Sequence, residues 1–182
     1  MLKIETGELK GKVIQTVPDN RTRYTSSIIR RALASMVDFE GKYCADICCG
    51  SGNVGFEMIS NGANYVVFVD VSQKAINTVK NNAKNLGVEE KTQVIKDDAR
   101  RFLEKFDRKF EIIYSDPPYE LGIVKDIIER VHLVMKEDSL FILQCSKREI
   151  PKQTDLKNLK PIKMKEYGDS YLIFFQKYEK IY

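Results

Sequence analysis

From Tyr43 onward the chain alternates short apolar runs with amphipathic ones. "YCADIC", "YVVFVD", "TQVIKD", "FEIIYS" and "SLFILQCS" have the length and β-branched content of buried strands. Between them lie "VGFEMISNG", "SQKAINTVKNNAKNLG", "ARRFLEKF" and "IVKDIIERVHLVM", whose apolar residues recur at helical spacing. Gly62 and Gly87 are placed to end the first two helices, and Ser72 to cap the second. Such alternation predicts right-handed βαβ units in a largely parallel sheet covered on both faces. "PIKMKEYGDSYLIFFQKY" breaks the rhythm, because two strand-like runs meet at Gly168-Asp169 and predict an antiparallel hairpin at the sheet edge. Upstream, "LKIET" and "KVIQTV" around Gly7 and Gly11 read as a short hairpin, and Thr25, Ser26 and Ser27 offer N-caps to a helix through "SIIRRALASMV". The expected fold is therefore α/β, a doubly wound, mostly parallel seven-stranded sheet with an antiparallel terminal strand and a small N-terminal hairpin-helix extension. One domain is expected over residues 1–182, with an arm and helix in 1–38 and the catalytic core in 42–182.

Composition sharpens this picture in two places. With 43% apolar and 31% charged residues, the 182-residue chain reads as globular, and no run reaches the roughly 20 apolar residues of a membrane span. The start, "MLKIETGELKGK", lacks the apolar core of a secretory signal, so a cytoplasmic location is expected. Cys44, Cys48, Cys49 and Cys145 show no paired CxxC spacing and His132 is the sole histidine, so reduced thiols and no metal site are expected. The net charge of +4 is unevenly spread: Leu9 to Arg31 holds Lys10, Lys12, Arg21, Arg23, Arg30 and Arg31 against Asp19 alone. Charge of this kind suits phosphate contacts, and Lys10, Lys12 and Arg21 are the substrate-binding residues expected from it; an ordinary solvated face reads equally well from charge alone.

Ligands of open α/β sheets sit beyond the carboxyl ends of the strands. The first such end carries "DICCGSGNVG", where Gly50, Gly52 and Gly55 satisfy G-x-G-x-x-G between a strand and a helix, the mark of a Rossmann-like nucleotide fold. Asp70 ends the second strand, 18 residues after Gly52, where a carboxylate can accept both ribose hydroxyls. Asp46, four residues before Gly50, suits a cationic ligand better than a pyrophosphate. S-adenosylmethionine combines a ribose, an ammonium and a sulfonium without phosphate, so it is preferred to a nicotinamide cofactor. "KDDA" ends the third strand, and Asp98, or Asp97 on the opposite face, can accept from the adenine amine.

The fourth strand ends on "YSDPPYE". Two prolines can neither continue a sheet nor sit in the middle of a helix, so they stiffen a turn and leave carbonyls free. An exocyclic amine on a nucleobase is a poor nucleophile because its lone pair is delocalised. Asp116 and the Pro117 carbonyl can accept its two hydrogens, Pro118 stiffens the turn, and Tyr119 offers a face for stacking the base. Asp116, Pro117, Pro118 and Tyr119 are thus the expected catalytic turn, with Tyr119 also contacting substrate.

With these residues in view, the chain resembles the class I methyltransferases that act on amino nitrogens. Over nearly its whole length it is similar to the bacterial family that methylates guanine N2 in 16S ribosomal RNA of the small subunit. The resemblance rests on "LKGKVI" with "RYTSSIIRRAL", on "DICCGSGNVGFEMISNGA", "DDARRFL", "YSDPPYE" and "EYGDS". It implies that Asp46, Gly50, Ser51, Gly52, Asp70, Val71, Asp98, Ala99 and Asp116 line a site for S-adenosyl-L-methionine. It also implies that Arg23 and Thr25 reach over the active site as a lid, and that the partner is ribosomal RNA, naked or in an assembled particle, bound by a monomer. The chain departs from the family pattern in having Tyr24 within Arg23-Tyr24-Thr25, Cys48-Cys49 in place of Phe-Ala, and Ser27-Ile28 in place of an acid-base pair. Two rival readings are adenine-N6 methylation of DNA or RNA and a non-catalytic RNA-binding module. The first usually needs a separate target-recognition region, and the second need not keep Asp116 to Tyr119.

Overall fold

The computed structural model describes residues 2–20, 22, 24–119 and 121–178. Among these, strands β3 (Tyr43–Ile47), β4 (Tyr65–Asp70), β5 (Thr92–Lys96), β6 (Phe110–Ser115), β7 (Met135–Ser146), β8 (Leu159–Tyr167) and β9 (Ser170–Lys177) form one seven-stranded sheet. Its order is β5-β4-β3-β6-β7-β9-β8, parallel from β5 to β7 and antiparallel at β9 and β8. β9 inserts between β7 and β8, so the final strand is internal and β8 is the edge. The alternating Leu172-Ile173-Phe174-Phe175 explains this, since all four side chains are buried, whereas most of β8 is exposed.

Helices α1 (Ser27–Met36), α2 (Asn53–Ser60), α3 (Gln73–Leu86), α4 (Ala99–Lys105) and α5 (Ile123–Arg130) cover the two faces. α1, α2 and α3 share one apolar cluster with Phe56, Phe68 and Phe174, while α4 and α5 share the other with Phe110, Phe141 and Phe175. Ser26 caps α1 and Ser72 caps α3 through their hydroxyls, as their residue types favour. α3 ends at Gly87 (φ 70°), and α2 ends one residue before Gly62, at Asn61. The expected fifth helix stops at Arg130, and Val131–Val134 tighten into a 3₁₀ turn, so His132 lies beyond the α-helix.

The N-terminal hairpin is much shorter than the sequence suggests: β1 is Leu2–Lys3 and β2 is Val13–Ile14. Residues between them bond α2 instead. Glu5 N–H donates to Glu57 Oε1 (2.6 Å), Glu8 N–H to the Ser60 carbonyl (2.9 Å) and Leu9 N–H to Ser60 Oγ (2.9 Å). Ile4 and Ile14 are buried in the cluster with α1 and α2, which joins the arm to the core.

β3 and β6 are neighbours, and the chain leaves their carboxyl ends toward opposite faces of the sheet. That is the switch point where doubly wound sheets open a crevice.

Candidate active site

Three loops converge at this crevice. The loop after β3 is held by Asp70, whose Oδ2 accepts the Gly50 N–H (2.9 Å) and whose Oδ1 accepts the Ser72 N–H (2.9 Å). Asp70 therefore shapes the glycine loop as well as facing the cleft. Gly50 sits at φ 56°, which costs other residues energy. The last glycine of the motif serves packing: a Cβ on Gly55 would lie 2.1 Å from Phe68 Cε1. Its amide donates to Asp46 Oδ2 (2.9 Å), so Asp46 ties the end of β3 to the first turn of α2, which Gly52 caps.

Asp46 is buried, and its carboxyl is pushed well above the usual range, first by desolvation and further by the charges of Asp70 and Asp116, against the Gly55 amide. Asp70 and Asp116 thus lie close enough to Asp46 at the switch point for their charges to favour the proton on it. Burial, then the charge of Asp70, also raises the Cys48 thiol, which keeps it protonated and a poor nucleophile. Cys48 adopts φ 62° and lines the cleft.

On the β4–β5 side, a small cleft of about 90 Å³ is lined by Cys48, Asp70, Val71, Asp97, Asp98, Ala99, Pro118 and Ile123, among others. The expected cofactor residues Asp70, Val71, Asp98 and Ala99 are therefore brought together with Pro118 of the proline turn. Asp98, however, is largely engaged. It caps α4, accepts from Arg100 N (2.9 Å) and Nε (3.0 Å), and pairs with Nη2 (2.8 Å). These side-chain bonds from Arg100 draw its carboxyl down to about 2. Asp97 Oδ1 accepts the Asp98 N–H (2.8 Å) and lies 3.7 Å from Arg101 Nη1. Ser51 Oγ is buried, with no hydrogen-bond partner among the described residues.

At the end of β6, Asp116 and Tyr119 are half-buried, Pro117 is buried and Pro118 is exposed. The arm approaches from above. Thr22 Cγ2 would lie 3.2 Å from a Cβ on Gly50. The Thr25 hydroxyl is 3.1 Å from Tyr114 OH, and the Thr25 carbonyl accepts from Arg30 Nε (3.1 Å) and Asn53 Nδ2 (3.2 Å). Arg30, 2% exposed, pairs with the equally buried Glu57 at 3.1 Å and fixes α1 on α2. Asn82 donates to both the Gln15 and Ser51 carbonyls (3.1 Å each), so α3 ties the arm to the glycine loop.

Lys10 and Lys12 stand elsewhere. Their turn is fastened to Ser60, at the far end of α2, roughly a 12 Å helix length from the glycine loop. Arg21 and Arg23 lie outside the described residues. The basic face that begins beside the cleft is that of α3, where Lys74, Lys80 and Lys84 are exposed and no acid occurs from Val71 to Val88. It faces the arm across a groove lined by Gln15, Thr16, Pro18, Lys74, Asn77 and Asn81. Among the described residues, no cluster of histidine, cysteine or acidic side chains could hold a metal ion, and no helix is long and apolar enough to cross a membrane.

Sequence reasoning passed over Asn53, Glu57, Asn82, Tyr114 and Gln144. Glu57, Tyr114 and Gln144 are polar residues amid apolar runs, Asn82 carries no such signal, and Arg30 drew notice solely as part of a basic stretch.

A seven-stranded sheet of this order, with a glycine loop after β3 and an Asp-Pro-Pro-Tyr turn after its neighbour β6, is the class I methyltransferase fold. Residues 2–176 match the family described as conserved hypothetical protein 95, and the chain belongs to that family. YlbH of Bacillus subtilis, named as a candidate rRNA methyltransferase, is 30% identical over 182 residues, covering 97% of this chain and 99% of its own. Ribosomal RNA small subunit methyltransferase D of Buchnera aphidicola is 30% identical over 153 residues, covering 81% and 80%. The structure of yhhF from Escherichia coli, described as a candidate methyltransferase, superposes with a TM-score of 0.83 over 98% of this chain and 99% of its own, at 20% identity.

Proposed function

We propose that this protein methylates the exocyclic N2 amine of a guanine in small-subunit ribosomal RNA, using S-adenosylmethionine. The observation that carries the proposal is the Asp116–Tyr119 turn, which follows β6 at the switch point, next to β3 and its glycine loop. The relatives' names supply the RNA class.

The site fits the cofactor on its own chemistry. The carboxylates of Asp46, Asp70 and Asp116 favour a ligand bearing cationic centres, and a sulfonium with an ammonium meets that need. The buried, unpartnered Ser51 hydroxyl has a hydrogen bond to give. Asp70, Val71 and Ala99 would hold the ribose and adenine side, and Asp46, Gly50 and Ser51 the amino-acid side. When bound, S-adenosylmethionine supplies an electrophilic methyl group.

The chain's own residues do the rest. Asp116 accepts one hydrogen of the target amine and the Pro117 carbonyl the other, which favours a pyramidal nitrogen with a localised lone pair. Asp116 is then in place to take the proton that the nitrogen loses. Tyr119 stacks on the base, worth about 1–3 kcal/mol in single-stranded sites. Holding nitrogen and methyl in line contributes on the order of 7–11 kcal/mol by proximity. The acid-free face of α3 gives the RNA backbone a track toward the cleft. The test is transfer of labelled methyl groups to small-subunit RNA or particles, followed by nucleoside digestion. Label in N2-methylguanosine is expected; label in N6-methyladenosine would replace this reading with adenine methylation.

A further inference from the structure

The "EYGDS" block and several buried polar side chains have no part in the mechanism above, and they meet at one place. β9 runs antiparallel to β7, and the pairing of Ser146 with Ser170 puts the Gly168-Asp169 turn at the carboxyl end of β7. That is the sheet edge from which Asp116–Tyr119 emerges. A chain of side chains crosses this edge. Thr25 Oγ1 lies 3.1 Å from Tyr114 OH, which donates to Gln144 Oε1 at 2.5 Å. Gln144 Nε2 donates to Ser170 Oγ at 3.5 Å, and Ser170 Oγ lies 3.3 Å from Tyr119 OH.

Donor and acceptor counts fix most of its directions. The Gln144 carbonyl oxygen only accepts, so the Tyr114 hydroxyl spends its proton there and must accept from Thr25. The Gln144 amide nitrogen only donates, so Ser170 Oγ accepts. Thr25, Tyr114 and Gln144 are each at most 5% exposed, so water cannot readily replace a missing link. The far end is held firmly, because the Thr25 carbonyl is bonded to Arg30 and Asn53.

We propose that Gln144 and Ser170 are positioning residues that hold the Tyr119 ring at the angle from which it stacks on the target base. The proposal rests on the stacking role given to Tyr119 above. The physical need is plain. The prolines fix the backbone of the turn, but not the side-chain torsions of Tyr119. The loop beyond it is open, with Leu121 67% exposed and Gly122 at φ 71°. An unheld ring must be ordered when the base binds, and that ordering opposes association; a ring already held by the scaffold has lost this freedom beforehand.

Two measurements test this, and they separate the positioning role from the function on which it rests. The first is steady-state methyl transfer to small-subunit RNA. Ser170→Ala should lower kcat/KM for RNA about three- to tenfold, the range set by freeing one side chain, with cofactor affinity unchanged. Ser170→Thr, which keeps the hydroxyl, should restore the rate. Ser170→Ala combined with Tyr119→Phe should be no worse than the poorer single variant, since both remove one contact. The second is the spectrum of the ring-labelled free protein. The Tyr119 resonances should be the same in the wild type and in Ser170→Thr, and shift in Ser170→Ala. A Ser170→Ala protein with wild-type kcat/KM and an unmoved Tyr119 signal overturns the proposal, as do losses that multiply in the double variant. A wild type that methylates no small-subunit RNA refutes the function instead, and the spectrum still decides the positioning role.

Discussion

Asp70→Asn perturbs one carboxylate with two duties. In the native protein its oxygens accept the Gly50 and Ser72 amides, at 2.9 Å each. An asparagine keeps one acceptor oxygen and turns an NH₂ group toward the second amide, so one of the two bonds becomes a donor–donor clash. Hydrogen bonds to charged groups contribute about 1.5–3 kcal/mol, and Asp70 is only partly buried, so a stability loss of about 1–2 kcal/mol is expected. Cofactor affinity should fall further than that of a variant losing a ribose contact alone, because the displaced Gly50 amide also reshapes the loop. The loss should be at least that of one charge-assisted hydrogen bond, about 1.5–3 kcal/mol of binding, or roughly 10- to 150-fold in Kd. Thermal unfolding of the free protein and calorimetric titration with S-adenosylmethionine read the two effects separately. A variant that melts about 1–2 kcal/mol less stably yet binds with native affinity would refute the ribose role and leave Asp70 as a loop anchor only.

Other consequences follow from the same geometry. Asp116→Ala should lower kcat sharply with little change in cofactor Kd, because its hydrogen bond to the amine matters most as the nitrogen reacts; equal losses in kcat and cofactor binding would contradict this. The raised Asp46 carboxyl carries a linkage with a definite sign: the folded state holds its proton more tightly than the unfolded chain, so its ionisation costs stability as pH rises above the ordinary carboxylate range. A cationic ligand favours the ionised form, so S-adenosylmethionine affinity should rise with pH over that window more steeply than that of 5′-methylthioadenosine, which has neither the ammonium nor the sulfonium; parallel calorimetric profiles would exclude Asp46 from the cationic site. Lys74→Ala with Lys80→Ala should reduce the log–log salt slope of RNA binding by about 0.7–0.9 per lost phosphate contact, and Lys10→Ala with Lys12→Ala should do so only if the RNA extends to the far end of α2. Slopes overlaying the wild type for both pairs would mark these lysines as a solvated face.

The parallel core was readable because its strands are continuous apolar runs broken by glycine and capping serine, signals that are local and strong. The terminal hairpin was readable as a hairpin, but its insertion order was not. Which of two adjacent strands lies inside depends on what each buries, and only the contrast of "LIFF" with the lysine-rich "PIKMK" carried that information. The N-terminal hairpin forms where expected, but its strands are shorter than the apolar runs for a related reason: residues 5–9 satisfy backbone groups on Glu57 and Ser60, some 50 residues away. The charge count from Leu9 to Arg31 joined residues with different fates, for Arg30 is a buried partner of Glu57 while Lys10 and Lys12 sit at the far end of α2. Of the site, the glycine loop and the proline turn announce themselves through residue types that need special backbone conformations, and Asp70 through its place at a strand end 18 residues after Gly52. The Thr25–Tyr114–Gln144–Ser170 contacts do not, since each side chain is ordinary alone and the four come from four separate stretches of the chain.

The central claim is that the Asp116 turn acts on guanine N2 in the small subunit. Mass mapping of small-subunit ribosomal RNA from a strain lacking the gene tests it most directly. N2-methylguanosine should disappear from one nucleotide, return with the wild-type gene, and stay absent with Asp116→Ala. An unchanged modification map, or loss confined to an adenine or to the large subunit, would contradict it.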